Sequence, residues 1–215
     1  MTLGYEPAQA IAAIGRADKH MAKLIRRVGP LDLTQRKMDN TFQTLARAIV
    51  YQQLSGKAAA TIHGRTIAAF GTRKKLSPER LLAAKDEALR AVGLSRNKAA
   101  ALRDLATKTL DGVVPTVAKL HKMSDEEIIE RLTSVRGIGV WTVEMLLMFR
   151  LGRPDVLPIS DLGVRKGFML TYGHKELPKP TAILEHGERW RPYRSVASWY
   201  LWRACDVAAK APVPM

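Results

Sequence analysis

Apolar side chains recur three and four residues apart along almost the whole chain, while alternating β-branched stretches are scarce. That spacing lines one face of an α-helix, whereas a half-buried strand needs a period of two, so the pattern restricts the chain to an all-helical fold. The spacing predicts a helix over 7–28 carrying Ile11, Ile14, Met21 and Ile25, and another from about Thr41 to Leu54 burying Phe42, Leu45, Ala46, Ile49 and Val50. Gln52-Gln53-Leu54-Ser55-Gly56 interrupts it, and the helical pattern resumes from Lys57 to Phe70. Ser77-Pro78 starts a further helix with proline at a tolerated first position, and Ser95 caps one carrying Ala99, Leu102 and Leu105. Ser124-Asp125-Glu126-Glu127 is a capping-box sequence, with serine at the cap and glutamate three residues on.

Between two of these segments stands Val135-Arg136-Gly137-Ile138-Gly139-Val140-Trp141-Thr142. Glycines at 137 and 139 permit positive φ and a close backbone approach, and Ile138 between them can plug the gap between helices. The span 126–151 therefore reads as a helix–hairpin–helix. The unpaired N–H groups and dipole at the start of its second helix suit a phosphate. Leu157-Pro158-Ile159-Ser160-Asp161 follows, with Ser160 read as a cap and Asp161 in the first helical turn, where the dipole favours a charged carboxylate.

The charge balance agrees with a polyanionic partner. The 215 residues include 35 Lys and Arg against 20 Asp and Glu, a net charge of +15, and nucleic acid is the commonest partner of such an excess. Cys205 is the single cysteine, which rules out an internal disulfide or a four-cysteine metal site within these residues. The histidines His20, His63, His121, His174 and His186 have no ligand spacing, so no catalytic metal is expected. No apolar run approaches the roughly 18 residues of a membrane span, and the first residues lack the pattern of a signal peptide. Cytoplasm is the expected location, or the nucleus in a eukaryote.

Gly137-Ile138-Gly139-Val140-Trp141-Thr142 followed by Leu157-Pro158-Ile159-Ser160-Asp161-Leu162-Gly163-Val164 resembles the helix–hairpin–helix, Gly/Pro, aspartate signature of base-excision DNA glycosylases, in the 3-methyladenine DNA glycosylase II branch. The stretches from Ile49 to Ala59, Gly93 to Ala99 and Trp190 to Ala197 extend the resemblance over about residues 40–205 in the family's order. It implies double-stranded DNA with damaged bases as the partner and hydrolytic removal of alkylated purines, leaving an abasic site. Rival readings are a glycosylase for oxidised or deaminated bases and a non-catalytic hairpin protein that binds DNA.

By the same resemblance Asp161 is the catalytic carboxylate, stabilising an oxocarbenium-like sugar and helping to activate water. Trp141, Met145 and Trp202 line the base pocket, where electron-rich rings suit a cationic alkylated purine. Met145 departs from the aromatic that a relative carries there. Strand-cutting members place a lysine nucleophile two residues after the second hairpin glycine. Trp141 occupies that place here, which implies a monofunctional enzyme. DNA contacts fall on Gln53, Leu54, Ser55, Gly56 and Lys57, on Gly137, Ile138, Gly139, Val140 and Thr142, and on Gly163. Gln53, Leu54 and Ser55 are all candidates for the wedge that replaces a flipped base. No cofactor is required, although the resemblance allows a structural monovalent cation at the hairpin carbonyls.

The expected architecture is all-α and two-lobed with the active cleft between the lobes. One lobe comprises 1–40 plus 158–215, and the other comprises 41–157 with the hairpin inside it. Nothing in the sequence demands more than a monomer.

Overall fold

A computed structural model of the chain describes residues 4–209 apart from Arg36 and Asp39. The described residues are all-α apart from one two-rung β-hairpin. In chain order the elements are α1 (Pro7–Ala17), α2 (Lys19–Val28), α3 (Thr41–Tyr51), α4 (Gly56–Phe70), the strands β1 (Gly71–Thr72) and β2 (Lys75–Leu76), α5 (Pro78–Ala83), α6 (Asp86–Ala91) and α7 (Arg96–Leu110). Then come α8 (Val117–Leu120), α9 (Asp125–Thr133), α10 (Val140–Leu146), a π-helical turn Leu147–Leu151, α11 (Leu162–Tyr172), α12 (Pro180–Gly187), a 3₁₀ turn Glu188–Trp190 and α13 (Arg194–Ala209). None of these helices is long and apolar enough to cross a membrane.

The chain divides into two compact units. The first joins the N-terminal segment up to Lys37 with everything from Glu144 onward, and the second is Met38–Val143. This division differs from the expected one, because the boundary falls inside α10 rather than at residue 157. Phe149 and Leu157 pack into the core of the first unit, with Ile14, Met21, Val164, Phe168, Trp190, Tyr200 and Leu201. Their side chains, rather than the end of the hairpin, decide where the unit begins.

The single helix expected over 7–28 is two helices. Asp18 is extended, and its Oδ1 accepts from the His20 and Met21 amides, so it ends α1 and caps α2. An internal aspartate that captures free helix donors in this way competes with a continuous helix. Asp18 Oδ2 also accepts from Tyr172 Oη (2.5 Å), His186 Nε2 (3.0 Å) and Trp190 Nε1 (3.1 Å). Burial opposes the Asp18 charge, but these hydrogen bonds outweigh it and bring the carboxyl down to about 2.

In the second unit α7 packs on α3, α5 and α6. The side chains of Leu45, Ile49, Leu81, Leu89, Leu102, Leu105 and Ile128 are all fully buried there. The expected local signals are present: Ser77 and Ser95 accept from amides three residues on, and Ser124 and Glu127 form both bonds of a capping box. The basic residues Arg73 and Lys74 form the turn of the β-hairpin at φ 48° and 62°, and Lys75 opens β2 opposite Thr72.

Candidate active site

Asp161 is placed by its own turn. Ile159 N donates to Leu157 O (2.8 Å) and Asp161 N to Pro158 O (3.0 Å), so helical backbone begins only at Leu162. Asp161 rather than Ser160 therefore caps α11: Oδ1 accepts from Val164 N at 2.8 Å, and its carbonyl accepts from Arg165 N. The same Oδ1 accepts from Trp202 Nε1 at 2.7 Å. One carboxylate oxygen is thus fixed by a local amide and by an indole 41 residues away.

That indole reaches Asp161 because α11 and α13 cross closely. A Cβ at Gly167 would lie 1.9 Å from Leu201 O, so only glycine fits there. Four residues earlier, a Cβ at Gly163 would lie 2.6 Å from Trp202 Cδ1 and 3.1 Å from Asp161 Oδ1. Gly163, expected to touch DNA, is thereby the seat of the Trp202 ring. Phe149 stacks on the Trp202 ring, with the two centroids 5.8 Å apart. Cys205 Sγ lies 3.5 Å from Gly163 O, and burial pushes its thiol up.

The segment leading to Asp161 is tied to the start of α13. Arg194 Nε and Nη2 reach Asp155 Oδ1 and Oδ2 at 2.7 and 3.1 Å, a two-pronged pair with a nearly buried arginine. Ser195 Oγ donates to Arg153 O and accepts from Val156 N. This explains why the Arg194-Ser195 part of the Trp190–Ala197 stretch matters, although it is remote in sequence from Asp161.

Sequence reasoning missed one carboxylate. Glu144 stands alone in the apolar run Thr142-Val143-Glu144-Met145-Leu146-Leu147-Met148-Phe149. Its burial, reinforced by the negative charge of Asp161, raises its carboxyl from the usual 4.5 to about 7. A lone acid in an otherwise apolar helix was the available signal. Met145 beside it is half-buried.

In the second unit Gln53, Leu54, Ser55, Gly56 and Lys57 are all exposed. Ser55 accepts from Ala58 N and caps α4, while Gln53 adopts φ 56°. Capping holds the Ser55 side chain on its own helix, so Leu54 is the apolar tip of the turn. In the hairpin, Gly137 takes φ 79° and Ile138 is buried, whereas Gly137, Gly139, Val140 and Trp141 are exposed, Trp141 to 50%. Thr142 is half-buried, and its amide donates to Gly139 O. The carbonyls of Val135, Gly137 and Gly139 accept from Ile138 N, Gln52 Nε2 and the Thr142 and Val143 amides respectively. A cation at the hairpin would have to share oxygens already engaged in these hydrogen bonds.

Residues 46–192 match the family model described as the HhH-GPD superfamily of base excision DNA repair proteins. The chain is 37% identical over 190 residues to DNA-3-methyladenine glycosylase 1 of Schizosaccharomyces pombe, covering 88% of this chain and 82% of that protein. The solved structure of the S. pombe 3-methyladenine DNA glycosylase in complex with abasic DNA aligns with a TM-score of 0.78 at 34% identity, covering 95% of this chain and all of the other. A DNA-3-methyladenine glycosidase from Bacillus halodurans aligns at 0.84 and 35% identity, covering 97% and 94%. With the family model spanning the second unit's hairpin and the first unit's Asp161 alike, the chain belongs to the HhH-GPD superfamily of base excision DNA repair proteins.

Proposed function

We propose that the protein is a monofunctional DNA glycosylase that extrudes a damaged nucleotide from double-stranded DNA and hydrolyses its bond to an alkylated purine. It acts as a monomer without a cofactor, and leaves an abasic site. The observation that carries this reading is the Asp161 carboxylate, positioned by Val164 N and Trp202 Nε1 within a chain 37% identical to a named 3-methyladenine glycosylase.

An N3- or N7-alkylated purine carries positive charge, so its ring accepts the electron pair of the breaking C1′–N bond and departs neutral. Positive charge then develops on the sugar, where a pre-placed carboxylate stabilises it without reorganising. Water supplies the new C1′–O bond, and its proton passes to Asp161 and then to solvent. Val140 and Trp141 have no amine to form a Schiff base, which supports hydrolysis without strand cleavage. The exposed hairpin amides hold backbone phosphate, and Leu54 fills the space vacated in the stack.

The test is base release by the wild type and Asp161→Asn from duplexes carrying 3-methyladenine, 7-methylguanine, ethenoadenine, hypoxanthine or 8-oxoguanine. Release of the methylated purines by the wild type only, with strand breaks appearing on heat or alkali, is the expected result. No release from any duplex would overturn the reading and leave a DNA-binding protein. Release confined to 8-oxoguanine or hypoxanthine would move the substrate class.

A further inference from the structure

One stripe of α7 holds both DNA-facing loops of the second unit. Lys98, Ala101, Asp104 and Lys108 fall on the same helical face by their three- and four-residue spacing. At one end, Lys98 Nζ donates to Val50 O and Gln52 O, each at 2.8 Å, where α3 runs into the exposed Gln53-Leu54 tip. At the other end, Asp104 Oδ2 accepts from the hairpin amide Arg136 N (2.7 Å) and from Lys108 Nζ (3.0 Å), which also donates to Ser134 O. Midway, Gly137 packs so closely that a Cβ there would lie 3.2 Å from Ala101 Cβ. Gln52 Nε2 closes the circuit by donating to Gly137 O at 2.8 Å.

Lysine at a helix C-terminus is a common carbonyl partner. Here the two acceptors are the last-turn carbonyl of Val50 in α3 and that of Gln52 just beyond it, 48 and 46 residues away, so the contact is tertiary rather than within α7. A wedge can displace a stacked base only if its loop does not recoil. Fixing that loop to the phosphate grip lets binding at one drive insertion at the other.

Resting on the glycosylase reading above, we propose that this stripe locks the Gln52–Ser55 turn to the hairpin at one fixed separation, with Lys98 as the positioning residue on which wedge insertion depends.

The experiment compares wild type, K98M, Q52A, L54A and the K98M/L54A and Q52A/L54A doubles. It measures single-turnover release of 7-methylguanine from a paired duplex at saturating DNA. It also measures affinity for undamaged duplex, and the fluorescence of 2-aminopurine placed beside the lesion, which rises on unstacking. K98M and Q52A should each lose roughly ten- to a hundredfold in rate, the scale of a small misplacement. Duplex affinity should hold while the fluorescence rise is lost. Each double should be no slower than L54A alone, because both changes act through the same insertion step. A wild-type rate in K98M and Q52A, or losses that multiply in the doubles, would overturn the proposal. If K98M fails to fold, Q52A and its double decide alone. Absence of release by the wild type would instead defeat the glycosylase reading, and the 2-aminopurine signal would still test the positioning role.

Discussion

Asp18 and Asp161 begin with the same local construction and end with different tasks. Each caps a helix, α2 or α11, by accepting amide donors, and each accepts an indole N–H, from Trp190 or Trp202. Around Asp18 the enclosure is then completed by Tyr172 and His186, leaving it 5% exposed. Asp161 is less deeply buried, and its side chain stays half-exposed with a second acid, Glu144, in its field. A carboxylate saturated by donors can only hold structure. One that is oriented but still half-exposed can meet charge that develops on a substrate.

The largest effect should come from breaking the closed site. Asp18→Ala leaves the Tyr172, His186 and Trp190 donors without their acceptor, and is expected to lower unfolding free energy by about 3–5 kcal/mol in urea titrations, since each buried donor left unpaired costs about 1–3 kcal/mol. The Asp18 carboxyl is depressed from 3.8 to about 2, so its contribution is complete above about pH 4 and is lost as pH falls through 2. The open site should behave oppositely. Asp161→Asn keeps a capping oxygen and should change stability by well under about 1 kcal/mol. Its base release should fall roughly 10²–10³-fold, the scale of a lost charge-stabilising group. Similar stability losses in the two variants would erase the distinction between the two aspartates.

Gly163→Ala sharpens the comparison by displacing the indole while leaving the carboxylate group itself in the sequence, although the new Cβ also crowds Asp161 Oδ1. Its Cβ would collide with Trp202 Cδ1, so about 1–3 kcal/mol of stability should be lost. Base release should fall about tenfold or more, with a shift in tryptophan emission. Gly137→Ala supplies the counterpart in the second unit, where backbone conformation rather than a side chain is at stake. At φ 79° and against Ala101, it should cost about 1–2 kcal/mol. Thermal unfolding and affinity for undamaged duplex measure it.

The last effect concerns Glu144 and depends on pH. Its folded carboxyl is raised from 4.5 to about 7, so the folded state holds its proton more tightly than the unfolded chain. Stability should therefore fall as pH rises from 4.5 to 7, with the full penalty present above 7. Glu144→Gln removes that slope. The variant should gain on the wild type in melting temperature at pH 8 but not at pH 4, and parallel curves at both would show that the burial around Glu144 has no energetic consequence.

The hairpin glycines, the capping box at Ser124 and the Asp161 turn were legible because their physics is local: donors, caps and dihedrals lie within a few residues of one another. The break at Asp18 was not, since 7–28 has helical spacing throughout and the partners that reward the break lie at Tyr172, His186 and Trp190. The cap of α11 slipped by one residue, from Ser160 to Asp161. Both residue types serve as caps, and the turn from Leu157 selects between them.

By itself, then, the sequence determined an all-helical chain, a glycine-bearing hairpin between two helices and a carboxylate at the head of α11, because periodicity and turn chemistry are written in neighbouring residues. Only the tertiary structure decided that Trp202 sets Asp161, that Glu144 lies in the field of that acid, and that Lys98 secures a turn nearly fifty residues away. Those outcomes depend on which backbones approach closely and which polar groups lose water, and neither is a property of any short stretch of chain.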